Sequence, residues 1–303
     1  MPLSSREPDP VLLTGASGYV GSHLLPELLR RGRRVRALAR RPEPGHFPPA
    51  VDVRQGDAVS GAGLREALDG CRTAYYLIHS MGRGSGPADA FARRDREAAV
   101  NFGEAARDAG VERVIYLGGL GAAGEDASEH LRSRHEVAEL LRQRVPALVY
   151  VRAAMIIGPG SASFEMLRHL AGRLPVMITP RWLDTRTQPV SVQDVVRALA
   201  DLAEADTAPA EVQLGGAEVL TYRAMITRTA AILGRRRPLI VKLPVLTPRL
   251  SSYWVALVTP VEVGLVRPLV DGLKEEMVVE MPPPRGVNDG PMGFEDAVRA
   301  ALA

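Results

Sequence analysis

The octapeptide Thr14-Gly15-Ala16-Ser17-Gly18-Tyr19-Val20-Gly21 constrains this chain more than any other feature. It follows the apolar run Val11 to Thr14, which reads as a buried strand, and opens a helical pattern over Tyr19 to Arg31 that Gly32 closes. The three glycines have different tasks. Gly15 permits a tight turn, Gly18 lets a ligand approach the backbone, and Gly21 lets the helix pack closely on the strand. The N–H groups of Ser17, Gly18, Tyr19, Val20 and Gly21, at the positive end of the helix dipole, then suit a pyrophosphate. A glycine turn serving only packing, or a site for another nucleotide such as S-adenosylmethionine, is the competing reading.

The rest of the first 160 residues repeats the strand-turn-helix rhythm. Strands are predicted at Arg34 to Ala39, Val51 to Gln55, Ala74 to Ile78, Arg113 to Leu117 and Ala147 to Val151. Helices are predicted at Leu64 to Leu68, Ala88 to Ala109 (ended by Gly110) and about Ser128 to Gln143. Strands joined by helices pair in parallel through right-handed crossovers, so the fold class is α/β, a Rossmann-type doubly wound parallel sheet. After Gly158-Pro159-Gly160 prolines multiply and helical segments, Ala162 to Ala171, Val192 to Ala205, Tyr222 to Leu233 and Phe294 to Leu302, predominate. The division is a dinucleotide-binding domain over 1–158 and a small C-terminal substrate lobe over 159–303, partly built on the first body.

Carboxyl ends of strands supply the remaining candidates, because ligand sits at that edge of a doubly wound sheet. An NAD-specific site places an acid after the second strand to accept the ribose hydroxyls. Here the chain reads Leu38-Ala39-Arg40-Arg41, and a guanidinium can bind a 2′-phosphate bidentately. NADP(H) is therefore preferred over NAD(H), with Arg40 the first contact and Arg41 the second. Asp57, with Ala58, follows the third strand and either accepts the adenine amino group or caps a turn. His79 and Ser80 follow the fourth strand, and Gly118 and Gly119 the fifth.

Bulk properties exclude several classes. A net charge of +3, with acids and bases interspersed and Lys242 and Lys274 the only lysines, gives no nucleic-acid signature. The single cysteine, Cys71, permits neither an intramolecular disulfide nor a cysteine metal cluster, consistent with a cytoplasmic location. No metal-ligand spacing occurs. Leu243 to Val270 is the most apolar stretch, yet only 12 uncharged residues separate Arg249 from Glu262, against roughly 18 needed to span a bilayer. That leaves peripheral membrane contact open but no transmembrane segment, and the chain is expected as a monomer or homodimer.

Together with the glycine loop, three further runs carry a family resemblance: Tyr116-Leu117-Gly118-Gly119-Leu120-Gly121, Val151 to Gly160, and Gln188-Pro189-Val190-Ser191-Val192-Gln193-Asp194-Val195. The chain resembles the atypical, extended short-chain dehydrogenase/reductase superfamily, in its NmrA-like NAD(P)H-binding branch of epimerases and oxidoreductases. The resemblance implies that the run containing Ala154 passes beneath the nicotinamide. It also implies a Ser or Thr after the fifth strand, then a Tyr and a Lys four residues apart on the next helix, working as a proton relay.

Those residues are absent. The fifth strand ends in Gly118-Gly119-Leu120, and His130 and Arg134 stand nearest the Tyr and Lys positions. An i, i+4 pair shares one helical face, so the spacing survives while the chemistry changes. Arg134 can clamp a ribose or phosphate oxygen but is a poor proton donor. His130 can shuttle a proton near neutral pH, contact the cofactor, or lie on the surface near a helix start. His79 is a rival acid/base, and His135 is expected to face solvent.

In the lobe, Phe164, Met166, Leu167, Leu170, Met177 and Trp182 suggest apolar pocket walls, with Arg168, Arg181 and Arg186 as anchors for a carboxylate or phosphate. The run Tyr253 to Val258 either covers that pocket or joins an interface. Two functions follow: an NADP(H)-dependent oxidoreductase or epimerase acting on a small apolar carbonyl or quinone compound, or a non-catalytic NADP(H)-binding redox sensor, regulator or assembly factor.

Overall fold

The run at Val11–Thr14 becomes β1, an inner strand of a seven-stranded sheet in the computed structural model of the chain. The structure describes residues 9–79, 88–122, 127–173, 176–179, 181–207, 209–242, 272 and 274–303. The other strands of the sheet are β2 (Val35–Ala39), β3 (Asp52–Gln55), β4 (Thr73–Tyr76), β5 (Arg113–Gly119), β6 (Leu148–Ala153) and β11 (Glu211–Leu214). All pair in parallel, in the order β3-β2-β1-β4-β5-β6-β11. The chain runs outward from β1 to β3, then restarts on the other side of β1 with β4. A crevice opens at such a reversal, beyond the strand ends, and the glycine loop enters it.

Helices cover both faces. On one side lie α1 (Tyr19–Arg30) and α6 (Val192–Glu204), packed on a core that includes Leu13, Tyr75, Ile115 and Val149. The other side carries α2 (Leu64–Leu68), α3 (Ala88–Asp108) and α4 (Glu129–Arg142). Adjacent tyrosines show the period-2 alternation of a doubly covered strand. The Tyr75 hydroxyl donates to the Leu199 carbonyl at 3.1 Å in α6, while Tyr76 packs on Phe102 of α3 and on Tyr116.

Beyond residue 158 the chain returns to the first body. Helix α6 and strand β11 complete the sheet and its cover, so the sequence boundary at 158 separates elements that the sheet joins. A strand at Glu211–Leu214 was not expected, since a four-residue edge strand with two polar members carries little apolar signal. The remaining lobe consists of α5 (Ala162–Arg173), α7 (Tyr222–Ile232) and α8 (Phe294–Leu302) around Met155 and Ile157. Short strand pairs brace it: β7 (Ile156–Ile157) with β10 (Val190–Ser191), β9 (Arg186–Thr187) with β12 (Leu220–Thr221), and β8 (Val176–Thr179) with β13 (Leu239–Lys242).

This packing corrects the pocket read from the lobe sequence. Phe164, Met166, Leu167 and Leu170 are buried in the α5–α7–α8 core and so are unavailable as pocket walls. Arg168 pairs with Glu165 at 2.6 Å, and Arg186 with Glu276 at 2.8 Å, so two of the three proposed anion anchors already have a carboxylate. The side chains of Met177, Arg181 and Trp182, and the whole of Tyr253 to Val258, lie outside the described residues, as does Ser80. Among the described residues no helix is long and apolar enough to cross a membrane.

Candidate functional site

The glycine loop is built by close approach. Gly15 has φ of +66°, and a Cβ there would stand 2.6 Å from the Leu77 carbonyl oxygen. Thr14 reinforces the same junction, its hydroxyl donating to Tyr75 O at 2.9 Å and accepting from Leu77 N at 3.1 Å. Gly21 is tighter still: a Cβ would fall 2.1 Å from the Gly15 carbonyl oxygen. The end of β4 and the start of α1 are thereby held against one turn.

Gly18 differs. Its N–H donates to Gly15 O at 2.8 Å, it is exposed beside Ser17, and an added Cβ would meet only that same oxygen at 3.1 Å. As the cap residue of α1 it offers no side-chain acceptor, and the first turn holds no acid. Consequently the N–H groups of Tyr19, Val20 and Gly21 reach no acceptor among the described residues. Three free donors at a helix start behind an open glycine fit a dinucleotide pyrophosphate.

Flanking candidates occupy the same strand edge. Arg40 and Arg41 are exposed just past β2, and neither meets a carboxylate among the described residues. Asp57 accepts from Val59 N through Oδ1 at 2.8 Å, the turn-capping arrangement, which leaves Oδ2 for another donor. Ala58 is buried, and its carbonyl accepts from Asn101 at 3.2 Å. Ala154 is buried, with its N–H bound to Leu214 O at 3.0 Å, so a cofactor contact there is limited to its carbonyl or methyl group.

The missing hydroxyl after β5 has a steric cause. A Cβ on Gly118 would meet the Tyr150 ring at 2.6 Å and its Oη at 2.9 Å, and one on Gly119 would meet Leu131 Cδ2 at 2.6 Å. Tyr150 at Gly118, and Leu131 at Gly119, therefore fill the volume that a Ser or Thr side chain would need. Its phenol stacks on Tyr116 at 5.4 Å and lies 3.1 Å from His135 Nδ1. His135 is half-buried, not solvent-facing as expected, because α4 lays it against that phenol.

The structure brings His79, His130 and Arg134 together. The two imidazoles approach to 5.1 Å between ring centres. His79 Nδ1 lies 3.1 Å from Asp95 Oδ2 of α3, and its Nε2 is buried without a hydrogen-bond partner among the described residues. Burial, then the Arg134 charge, push His79 down to about 4, with Asp95 opposing. Burial and the same arginine push His130 down to about 2. The expected titration of His130 near neutral pH is thus corrected: its imidazole is neutral there, able to donate or accept a hydrogen bond but not to act as an imidazolium acid. Arg134 Nε is also buried without a partner among the described residues.

Sequence reasoning missed three groups around the site, the last of them on a residue it had placed there through its backbone amide alone. Asp95 is one. Glu275 is another, reaching from the lobe to accept the Ser128 N–H at the start of α4. The third is the Tyr19 hydroxyl, which stands against Gly158, where a Cβ would be 2.3 Å away, and so couples the first turn of α1 to the turn before α5.

Fold and crevice define a dinucleotide-binding α/β protein. Residues 15–157 match the model of a family described as NAD(P)H-binding. The ceramide reductase of Caulobacter vibrioides is 33% identical over 169 residues, 55% of this chain and 52% of that protein. The 3 beta-hydroxysteroid dehydrogenase/Delta 5-->4-isomerase of Mycobacterium tuberculosis is 37% identical over 134 residues, 38% of this chain and 35% of its own length. The matched region thus spans between a third and a half of these curated relatives. A nucleoside-diphosphate-sugar epimerase from Staphylococcus aureus shares the fold over 96% of this chain and 99% of its own, with a TM-score of 0.74 at 18% identity. Residues 15–157 are thus similar to NAD(P)H-binding proteins, on a Rossmann-type α/β fold.

Proposed function

We propose that the chain is an NADP(H)-dependent oxidoreductase or epimerase acting on a small, partly apolar carbonyl or quinone compound in the cytoplasm. The observation that carries this reading is the set of amides at Tyr19, Val20 and Gly21, unpartnered among the described residues, behind the open Gly18, with His79, His130 and Arg134 at the same strand edge. When bound, a nicotinamide supplies a hydride acceptor or donor. The α1 amides hold its pyrophosphate, and Arg40, backed by Arg41, takes a 2′-phosphate by charge-assisted hydrogen bonds. Arg134 clamps a ribose or phosphate oxygen, and neutral His130 hydrogen-bonds the substrate oxygen. Matches to a ceramide reductase and a hydroxysteroid dehydrogenase favour an apolar hydroxyl or carbonyl substrate.

The test is oxidation of NADPH by purified protein across a panel of quinones, aldehydes and ketones, alongside dissociation constants for NADPH and NADH. Turnover with tighter NADPH binding supports the reading. The absent Ser, Tyr and Lys favour a second one, a non-catalytic redox sensor or assembly factor. Tight NADPH binding without turnover, together with a co-purifying partner, supports that alternative.

A further inference from the structure

His79 and Asp95 form a unit to which the preceding reading gives no step of its own. Asp95 is 5% exposed on the inner face of α3, in a stretch otherwise rich in exposed charge. Its carboxylate can only accept, so His79 must present N–H at Nδ1, which leaves the lone pair on Nε2. That Nε2 is buried and has no hydrogen-bond partner among the described residues, beside the His130 ring and two residues beyond Leu77, which closes on Gly15. An unsatisfied buried acceptor is costly, and it persists where a ligand completes it.

We propose that His79 is the proton-exchanging residue of this site and that Asp95 is its positioning residue, fixing the tautomer that turns Nε2 into the base. The inference rests on the oxidoreductase reading. In the direction of alcohol oxidation, the substrate carbon gives up hydride to the oxidised nucleotide as its O–H bond breaks. The proton passes to His79 Nε2, and the carbonyl product leaves neutral. Asp95 balances the imidazolium that forms, as a buried carboxylate does for a histidine base elsewhere. Reduction reverses both transfers. Of the two imidazoles His79 is the stronger base, because among the described residues it is the one that hydrogen-bonds a carboxylate; Asp95 reaches His130 only at longer range, and Arg134 bears on both.

The experiment has two arms on the full chain. In the first, nitrogen-15 NMR of histidine-labelled protein without nucleotide reads the His79 tautomer, assigned with His79→Gln. The Nδ1–H form is expected in the parent and a mixed or Nε2–H form in Asp95→Asn. In the second, Asp95→Asn and Asp95→Glu are compared for nucleotide affinity, kcat and its pH profile. Asp95→Asn is expected to keep NADPH affinity within 2-fold, lower kcat at least 30-fold and move the acid limb of the profile to lower pH. Asp95→Glu is expected to recover part of kcat. A parent already in the Nε2–H form, or an Asp95→Asn with parental kcat and pH profile, overturns the proposal. A parent that shows the Nδ1–H form but turns over no substrate overturns the oxidoreductase reading, and with it the proton transfer, while the Asp95–His79 orientation stands. Should Asp95→Asn fail to fold, His79→Gln takes its place in the kinetic arm, and parental kcat there overturns the proposal.

Discussion

Gly18 and Gly21 lie three residues apart in one motif, yet the structure assigns them opposite roles that a pair of alanine substitutions separates. In Gly21→Ala the new methyl falls 2.1 Å from the Gly15 carbonyl oxygen and 2.9 Å from Ala16 Cα. That is roughly 1.4 Å inside the roughly 3.5 Å at which heavy atoms attract. Both obstacles are backbone, so no side chain can rotate away and α1 must shift from β1. Overpacking of this kind costs about 3 kcal/mol, the upper part of its usual range. Moving α1 also misdirects its amides. Loss of one hydrogen bond to a charged phosphate, about 1.5–3 kcal/mol, weakens dinucleotide binding roughly 10- to 100-fold.

Gly18→Ala takes the other path. Its φ of −77° and ψ of 170° suit any residue, and its methyl meets one atom at 3.1 Å. Stability should stay within about 1 kcal/mol, or about 2 °C for a chain of this size. Nucleotide affinity should still fall at least 10-fold, because the methyl stands where the ligand approaches the amides. Thermal unfolding and titration calorimetry with NADPH read both quantities. A Gly18→Ala variant that binds like the parent, or a Gly21→Ala variant that melts with it, refutes the assignment.

Three further outcomes are expected. Arg40→Glu should weaken NADPH roughly 10- to 100-fold while leaving NADH nearly unchanged, read as the ratio of the two dissociation constants; an unchanged ratio removes Arg40 from the site. Both His79 and His130 have folded values below the unfolded value of about 6.5, so the unfolded chain takes up their protons first. The stability they contribute is complete above about pH 6.5 and is lost as pH falls toward 4, by about 3 kcal/mol from His79 alone. His130→Gln should flatten the melting temperature across that window, and an equal slope in parent and variant contradicts the burial described. Arg228 bonds Glu218 at 2.8 Å, pairs with Glu295 and lies over the Phe294 ring at 5.3 Å, so Arg228→Ala should destabilise the lobe by about 1 kcal/mol and speed amide exchange in α8.

The two histidines show how far the sequence could be read. His130 and Arg134 share a helical face by spacing alone, and that spacing holds in α4. Their electrostatics do not follow from spacing, because burial and a neighbouring guanidinium depend on what α4 packs against. Asp95 left a fainter trace. It sits in the charged run Arg93 to Glu97 and so resembles a solvated face, yet helical period puts it with Ala98, Ala99, Phe102 and Ala106, all buried. An acid on an apolar stripe announces a partner without naming it.

The sequence by itself determined the strand-turn-helix that opens the chain, the parallel alternation behind it and the amide-lined crevice. Each is a local matter, settled by glycine conformation and by hydrophobic period within one element. Only the tertiary structure decided that His79 meets Asp95, that Tyr150 displaces the hydroxyl after β5, and that residues from the far side of position 158 finish the sheet. Those pairings join residues from 16 to more than 60 positions apart, and which side chains meet there is set by how whole helices pack on the sheet, not by any pattern within them.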